Sequence, residues 1–543
     1  MEQHGILKKN HAMSLRRSIQ YALLLLFVVL LYFARYPYYP RLPVQLFLWL
    51  DPLVGISAML SARVFIPTLL PGLVTLVSAL LLGRLFCGWI CPLGTTIDIS
   101  ETILYRQQKP RLPPEPRRFR PLAHFFLVLA LVAAGAKLPL FYLLDPIPLA
   151  TRIYSYVIYP FYVLILNLGL DAIRPLAKTL GSSDLEYASY PQPVFGHNLA
   201  ALFVFAAILF LSAFQRRFWC RNLCPLGALL GLFSRWNLWQ KTMADSCTDC
   251  ARCYRQCPTG AIRDQVWTDR EEDCIKCLVC REVCPEQAIT YPIRRPSAGP
   301  PLKFDLSRRN ALIAGASGAA LALSARTALS WGAKDDQILR PPGALPEPLY
   351  LAACVRCGEC VKSCVTNTLQ PDGFTRGIAG LWVPRHQMRL AGCEQQCNVC
   401  GQVCPTGAIR PLELEEKRCA RIGASVISRE KCIAWEQDRL CLVCDECCPY
   451  NAIIFKTIDG RPRPVVIEDR CNGCGWCEHK CPVDGGAAIV VKPLGQIRLA
   501  DGSYQAEARR FGLFFQEARD KFNPAESAPG KSGLPPGVLP PER

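Results

Sequence analysis

The 30 cysteines constrain this chain more than any other feature, because most fall in groups separated by two residues. The arrangement C-x₂-C-x₂-C-x₃-C-P lets three thiolates turn around one face of a cubane iron–sulfur cluster, while the fourth points towards a neighbouring cluster. In a chain of 543 residues this grouping predicts metal binding rather than disulfide cross-linking.

Two complete copies of the motif follow each other between Cys247 and Pro285 and predict a bacterial-type ferredoxin with two [4Fe–4S] clusters. In such a ferredoxin the fourth cysteines are exchanged, so that Cys284 serves the first cluster and Cys257 the second. Tetrahedral zinc is the alternative, although zinc sites commonly use two C-x₂-C pairs that a longer loop separates. The predicted ligands are Cys247, Cys250, Cys253, Cys257, Cys274, Cys277, Cys280 and Cys284.

Four further copies in the C-terminal part bring the predicted number of [4Fe–4S] clusters to six. Their predicted ligands are Cys354, Cys357, Cys360, Cys364, Cys393, Cys397, Cys400, Cys404, Cys432, Cys441, Cys444, Cys448, Cys471, Cys474, Cys477 and Cys481. Val365 replaces the proline after Cys364. The first ligand of the third set is Cys432 or Cys419, and we choose Cys432. Cys419 and Cys447 then remain as thiols that bind no iron.

The first 235 residues predict an α-helical membrane domain. Four apolar stretches, at 19–34, 65–82, 121–144 and 198–214, are long enough to cross a bilayer of about 30 Å. A fifth, at 154–170, contains Pro160 and is either another span or an interfacial helix. The basic residues at 16–17, 106–120 and 216–217 lie in the cytoplasm by the positive-inside rule. Ordinary core helices of a soluble protein are the alternative.

An internal repeat runs through this domain. Leu50-Asp51-Pro52 recurs as Leu144-Asp145-Pro146, and a segment with C-x₃-C-P occurs at 84–94 and 217–227. The repeat predicts two helical hairpins related by a pseudo-two-fold axis. Cysteines four residues apart share a helix face, so we hypothesise a four-thiolate or redox-active site on the axis. Its residues are Cys87, Cys91, Cys220 and Cys224. The alternative is that these thiols pack helix ends or contact a partner.

Ser307-Arg308-Arg309 precedes an apolar segment rich in Ala and Gly and resembles a twin-arginine export signal. Asn310-Ala311 departs from the aromatic or aliphatic residues that usually follow the arginines. A stop-transfer flank and a basic linker are the alternatives. Export as a folded domain would place the C-terminal part in the periplasm, and Ala328-Leu329-Ser330 would permit cleavage.

The predicted fold class is therefore an α-helical membrane domain followed by α+β domains of the bacterial ferredoxin type. The predicted regions are a membrane domain (1–235), a two-cluster ferredoxin (240–290), a linker with the signal-like segment 307–330 (291–350), a four-cluster domain (351–521) and a disordered tail (522–543). We expect a bacterial cytoplasmic-membrane protein with the first ferredoxin in the cytoplasm. The net charge of +18 lies mostly before Ser330, which makes nucleic acid a poor explanation for it.

These motifs resemble two known families. Residues 15–290 resemble NapH-type membrane ferredoxins, which share the paired C-x₃-C-P motifs and the two-cluster unit. Residues 305–520 resemble NapG-type periplasmic ferredoxins, with a twin-arginine signal and four cubane motifs. Cys354-Val-Arg-Cys-Gly-Glu-Cys and Cys432-Ile-Ala-Trp-Glu are similar to the first and third motifs of that family. The resemblance implies a quinol dehydrogenase-type conduit that passes electrons from the quinol pool to a periplasmic reductase or cytochrome.

Two other functions fit the same motifs: maturation or reactivation of a periplasmic metalloenzyme, and reverse flow from a periplasmic dehydrogenase to quinone. Iron–sulfur clusters of this kind transfer single electrons, so we expect an electron-transfer component rather than a stand-alone catalyst. The predicted ferredoxins lie on opposite sides of about 30 Å of hydrocarbon. The C-x₃-C-P cysteines and quinone are the candidates for bridging that distance.

Overall fold

The computed structural model describes residues 11–104, 121–196, 198–262, 271–293, 307–331, 338–373 and 375–515. The whole of the basic loop at 106–120, the tail predicted at 522–543 and parts of both linkers lie outside these residues. The chain forms two compact units. The first comprises residues 1–333, 344–385 and 399–411, and the second comprises 334–343, 386–398 and 412–543. Two segments of the predicted four-cluster domain therefore belong to the first unit.

Apolar helices between residues 11 and 234, here called the helical region, form most of the first unit. They are His11–Phe33, Leu46–Trp49, Pro52–Ala62, Gly72–Leu82, Leu85–Trp89, Pro92–Leu104, Pro121–Gly135, Pro146–Ile153, Tyr159–Thr179, Ser183–Glu186, Asn198–Phe214, Phe218–Asn222 and Pro225–Ser234. Pro52, Pro146 and Pro225 each open a helix. Proline suits that position because the first turn leaves its amide groups without a helical acceptor.

Two helical runs among the described residues are long and apolar enough to cross a bilayer, Leu15–Phe33 and Pro146–Thr179. The second run is continuous because the π-helical segment Tyr154–Ile158 joins two helices, and Pro160 falls in the first turn of the second one. The stretch predicted at 65–82 is divided instead, with a 3₁₀ turn ahead of Gly72–Leu82. The domain of four or five spans therefore stays a prediction.

The two Asp-Pro segments have the same local structure. Asp51 and Asp145 are fully buried N-cap residues, each preceding a helix that begins with proline. The Asp51 carboxylate accepts hydrogen bonds from the amides of Leu53 (2.9 Å) and Val54 (3.3 Å), and the two aspartates interact with each other. The first turns of the two helices therefore meet inside the protein.

The signal-like segment forms the helix Arg308–Trp331, which packs against the helix Pro121–Gly135. A Cβ atom on Gly318 would lie 2.9 Å from the carbonyl oxygen of Leu129. Ala314 and Ala322, four residues to either side, are buried. Small residues on one face let helix backbones approach closely, so this segment takes part in the packing of the first unit.

Short elements complete the first unit. In the ferredoxin region (residues 240–293) Thr242–Met243 pairs antiparallel with Ile289–Thr290 and brings its two ends together. Its helices are Arg252–Gln256 and Val279–Val283, with a 3₁₀ turn at Glu271–Asp273. Beyond residue 344 the elements are the helices Glu347–Ala353, Glu359–Lys362, Gly377–Gly380 and Val399–Gln402 and the strands Leu369–Pro371, Thr375–Arg376 and Pro384–His386.

The second unit is built on two antiparallel strand pairs. Ala424–Ile427 pairs with Ile489–Lys492, and Ile453–Ile458 pairs with Arg461–Val466. The second pair is a hairpin whose Asp459-Gly460 turn has positive φ at both residues (54° and 74°), as a tight two-residue turn requires. The helices are Leu414–Cys419, Ile433–Glu436, Val443–Glu446, Trp476–Lys480 and Tyr504–Arg510.

Candidate iron–sulfur sites

Two cavities in the ferredoxin region are each lined by four cysteines. One is lined by Cys257, Cys274, Cys277 and Cys280. The other is lined by Cys247, Cys250, Cys253 and Cys284. Each set takes three cysteines from one motif and the proline-flanked cysteine from the other. This is the exchange that the spacing predicts for a two-cluster ferredoxin.

The second unit contains two more cavities of the same kind. One is lined by Cys432, Cys441, Cys444 and Cys481. The other is lined by Cys448, Cys471, Cys474 and Cys477. The fourth cysteines are exchanged here too, as in the ferredoxin region. Cys419 lies in a different core, around Tyr504 and Ala508, so the cavity contains the chosen ligand Cys432.

A fifth set lies in the first unit. Cys354, Cys357 and Cys360 are buried, and the charge of Cys404 acts on both Cys357 and Cys360. Cys404 is therefore the candidate for the fourth position in this set. The remaining motif is divided, with Cys393 and Cys397 in the second unit and Cys400 in the first. The sixth cluster stays a prediction.

Four of the cysteine loops share one backbone conformation. The second and fourth residues after the first cysteine have positive φ, and these residues are Asp249 and Ala251, Lys276 and Leu278, Arg356 and Gly358, and Gly473 and Gly475. Residues with a side chain rarely adopt this conformation. The repetition indicates that each loop curves around a common central group.

The sulfur atoms of the proline-flanked cysteines accept backbone hydrogen bonds. The amide of Ala261 lies 3.3 Å from Cys257 Sγ, and the amide of Ala452 lies 3.3 Å from Cys448 Sγ. Donors of this kind favour a thiolate. Peptide groups around each cavity are thus already directed at the sulfur atoms that would hold a cluster.

Burial acts on the thiols in the opposite direction. Burial, reinforced by neighbouring thiols, raises the pKa of Cys280 and of Cys444 to about 12. The polypeptide alone keeps these thiols neutral, and four thiolates in one cavity need the positive charge of iron. In the described part of the chain no group of three or more His, Cys, Asp or Glu side chains could hold a single metal ion. Four thiols around one cavity form the ligand set of a cubane cluster.

The four C-x₃-C-P cysteines lie together in one core of the first unit. Cys87, Cys91 and Cys224 are at most 8% exposed, and Cys220 packs against the same core. The charges of Cys87 and Cys220 act on both Cys91 and Cys224. The structure thus brings together the residues of the hypothesised four-thiolate site.

Arginines at the start of the two repeated segments each reach the other segment. Arg217 Nη2 lies 3.4 Å from the carbonyl oxygen of Gly94. A Cβ atom on Gly227 would lie 2.5 Å from Arg84 Nη2. Arg217 also forms an ion pair with Asp98 at 2.6 Å and is fully buried. Two guanidinium groups therefore lie close to the four thiols.

The ferredoxin region contacts the same site directly. Trp89 Nε1 donates to the carbonyl oxygen of Lys276 at 2.9 Å. Ile275 is buried in the core that contains the C-x₃-C-P cysteines, and Cys277 packs against that core. One of the two ferredoxin cavities therefore borders the C-x₃-C-P site.

The Cys354 set contacts the helical region at a different position. Lys362 Nζ donates to the carbonyl oxygens of Leu31 and Ala34, and Ser363 Oγ donates to that of Ala34 at 2.6 Å. These carbonyls lie at the end of the helix His11–Phe33, where few helical donors remain and positive charge is favourable. Arg16, near the start of this helix, donates to Gly88 at 3.2 Å. Eighteen helical residues correspond to about 27 Å between the two contacts.

Models of known families match three parts of the chain. A 4Fe-4S binding domain matches residues 64–111 and 198–239, which contain the two C-x₃-C-P motifs. A 4Fe-4S dicluster domain matches residues 240–293. Another 4Fe-4S binding domain matches residues 464–485. [4Fe–4S] clusters are therefore the cofactors of this chain.

Several curated proteins are similar to the chain over about a third of its length. The methylamine utilization ferredoxin-type protein MauM of Methylorubrum extorquens is 38% identical over 200 residues, which is 34% of this chain and 89% of that protein. The ferredoxin-type protein NapG of Escherichia coli is 36% identical over 188 residues, which is 33% of this chain and 78% of that protein. No solved structure matches the chain.

Proposed function

From the premise that this chain belongs to the family of ferredoxin-type proteins that includes MauM and NapG, we propose that it is a membrane-bound conduit for electrons. It is an iron–sulfur electron-transfer protein. In the proposal it oxidises quinol and passes the electrons to a periplasmic reductase or cytochrome. It combines a NapH-type membrane part, with a cytoplasmic ferredoxin, and a NapG-type part that acts in the periplasm.

One observation carries the proposal: a single core of the first unit contains cysteines from three separate sites. Cys277 of the ferredoxin region, the four C-x₃-C-P cysteines and Cys357 of the Cys354 set all belong to it or pack against it. The contacts at Gly88 and at Ala34 lie about 27 Å apart along one helix, close to the thickness of a bilayer core. This arrangement supports transfer between clusters on opposite faces of a membrane.

The C-x₃-C-P cysteines act in this proposal as a four-thiolate redox site between the two outer clusters. Their burial, the approach of Arg84 and Arg217, and the match of this region to a 4Fe-4S binding domain support that role. The arginines contribute positive charge beside the thiols and fix the helix ends that carry them.

The test begins with anaerobic purification in detergent and an iron count. Six clusters correspond to about 24 iron atoms, four for each. A reduced menaquinol analogue is then added while the cluster absorbance and the EPR spectrum are followed. Loss of the cluster absorbance after quinol addition is the expected result. A variant with Ala at Cys87, Cys91, Cys220 and Cys224 is expected to lose this response.

Four other outcomes would contradict parts of the proposal. Full iron content without a response to quinol, but with reoxidation of dithionite-reduced protein by quinone, means reverse flow. Failure in both directions points to maturation of a metalloenzyme. An unchanged iron count and response in the four-cysteine variant removes the C-x₃-C-P site from the electron path. Protection of the C-terminal part from external protease in spheroplasts would overturn its periplasmic location.

A further inference from the structure

Four buried hydrogen-bond donors around the Cys354 set have no acceptor among the residues that the structure describes. They are Arg152 Nη1, Tyr156 Oη, Arg356 Nε and Trp382 Nε1. The four side chains are at most 6% exposed. A buried donor without a partner loses the hydrogen bonds that it would make to water, so several in one place indicate that an acceptor belongs there.

The two arginines are fixed by their remaining contacts. Arg152 donates to the carbonyl oxygens of Tyr142 (3.0 Å) and Arg356 (3.1 Å), and its guanidinium stacks 4.0 Å above the Trp382 ring. Arg356 donates to the carbonyl oxygen of Ala379 at 2.7 Å and stacks 3.8 Å above the Tyr142 ring. Neither group can turn away from this position without losing those contacts.

Neither guanidinium forms an ion pair with a carboxylate among the residues that the structure describes, and both arginines are only 1% exposed. Burying an unpaired charge is strongly unfavourable unless a counter-charge is nearby. The charge of Cys357 acts on Arg152. A cluster held by four thiolates is negatively charged and supplies the missing counter-charge.

Tyr156 lies directly over the cysteine loop. A Cβ atom on Gly358 would lie 2.7 Å from Tyr156 Oη, so only glycine lets the hydroxyl approach between Cys357 and Cys360. The Phe195 ring packs against the Tyr156 ring, with 5.2 Å between the ring centroids. Arg152 and Tyr156 both come from the helical region, whereas the cysteines come from residues 354–404. The helical region therefore supplies hydrogen-bond donors and positive charge, and residues 354–404 supply the cysteines.

We propose that Arg152 and Tyr156 set the reduction potential of the Cys354 cluster, by donating hydrogen bonds to its sulfur atoms and by placing positive charge beside it. Hydrogen bonds to the sulfurs and nearby charge are the means by which a protein adjusts such potentials. Both favour the reduced, more negative state and raise the potential. This inference rests on the proposed function for the cluster itself. It makes the helical region a determinant of how readily electrons enter the C-terminal part.

The test is a potentiometric titration of the full-length protein with dithionite, followed by EPR. In Tyr156→Phe and in Arg152→Met we expect the equilibrium constant for reduction of the Cys354 cluster to fall about tenfold. This corresponds to a reduction potential lower by about 59 mV for one electron. Arg152→Lys should lie between Arg152→Met and the wild type, because it keeps the charge and loses the planar group. The other clusters should keep their potentials.

Tyr350→Phe is the matched control. Tyr350 is buried in the first unit beside the same cysteines, but its hydroxyl donates to the carbonyl oxygen of Pro384 at 3.4 Å. Cys354→Ala identifies the EPR signal that belongs to this cluster.

The outcomes separate the inference from the proposed function. If Cys354→Ala loses no iron, the cluster assignment fails. If the cluster is present and its potential is unchanged in Tyr156→Phe and Arg152→Met, the inference alone is overturned. Should Arg152→Met fail to retain iron, Tyr156→Phe decides, since it removes a single oxygen atom. An equal shift of the reduction potential in Tyr350→Phe would also refute the specific role of Arg152 and Tyr156.

Discussion

The carbonyl oxygen of Ile275 occupies the space that a Cβ atom on Gly88 would need, and the Cβ atom of Ile275 lies 3.3 Å from the same point. The ferredoxin region can therefore contact the C-x₃-C-P site only because residue 88 has no side chain. The carbonyl belongs to the peptide backbone of a cysteine loop and cannot rotate out of the way.

Gly88→Ala should separate the ferredoxin region from the helical region. Overpacking of this kind commonly destabilises by about 1–3 kcal/mol, so we expect a lower thermal midpoint and faster proteolysis after residue 240. Gly169→Ala is the control, because a Cβ atom there meets nothing within 4 Å. Equal stability of the two variants would show that this contact is dispensable.

Cys432→Ser should lose about four iron atoms, the content of one [4Fe–4S] cluster, because Cys432 lines a cavity with Cys441, Cys444 and Cys481. Cys419→Ser should keep all its iron, since Cys419 packs in the core around Tyr504. An iron assay and EPR on both variants measure this difference. Loss of iron from Cys419→Ser alone would reverse the assignment of the ligand.

The ligand sets show what the sequence could and could not predict. The spacing of the cysteines correctly indicated cluster-binding motifs, because the loop that curves around a cubane is local. Spacing also indicates that a fourth cysteine serves a neighbouring cluster, but it does not identify that cluster. Contacts between distant segments bring Cys481 to the set of Cys432 and place Cys404 near that of Cys354. Arg152 was missed for the same reason, although a charged residue in an apolar stretch is itself a sign of function.

Gly318→Leu should destabilise the first unit by about 1–3 kcal/mol, because a side chain would meet Leu129 and Val132 of the neighbouring helix. Gly315→Leu adds the same apolar group to the same helix, where a Cβ atom meets nothing within 4 Å. Any effect on targeting should therefore be equal in the two variants. Thermal unfolding and the intact mass of the mature protein measure the packing and the retention of the helix. A mature protein cleaved near residue 330, with unchanged stability, would contradict the prediction.

The stability of the second unit should fall between pH 6.5 and pH 5. Burial, together with the positive charge of Lys417, lowers the pKa of His386 to about 3, against about 6.5 in an unfolded chain. The folded state keeps the imidazole neutral, so its contribution is complete above pH 6.5 and is lost as the unfolded state takes up a proton. The loss amounts to about 2 kcal/mol at pH 5.

Chemical unfolding of the wild type and of His386→Gln at both pH values measures this effect. The variant should show a smaller pH dependence, while acid damage to the clusters should affect both proteins alike. If the free energy of unfolding changes equally with pH in both proteins, a group other than His386 is responsible for the loss of stability.

The division into units also departs from the predicted domains for a physical reason. Residues 344–385 and 399–411 contain cysteine motifs similar to those of the second unit. The sequence alone therefore predicts one domain boundary, ahead of all four C-terminal motifs. Their long side chains, Arg356 and Lys362, instead contact carbonyl groups of the helical region. Such pairings follow no periodic pattern and become visible only in three dimensions.

The contact between Lys362 and the end of the helix His11–Phe33 joins residues 328 to 331 positions apart in the chain. A ribosome must therefore complete two thirds of the protein before its first long helix can acquire this cap. Until then the terminal carbonyls of that helix are available to water or to other chains. Folding of the first unit cannot be finished from the N-terminus alone, and a truncated product ending at the ferredoxin region would carry an open helix end.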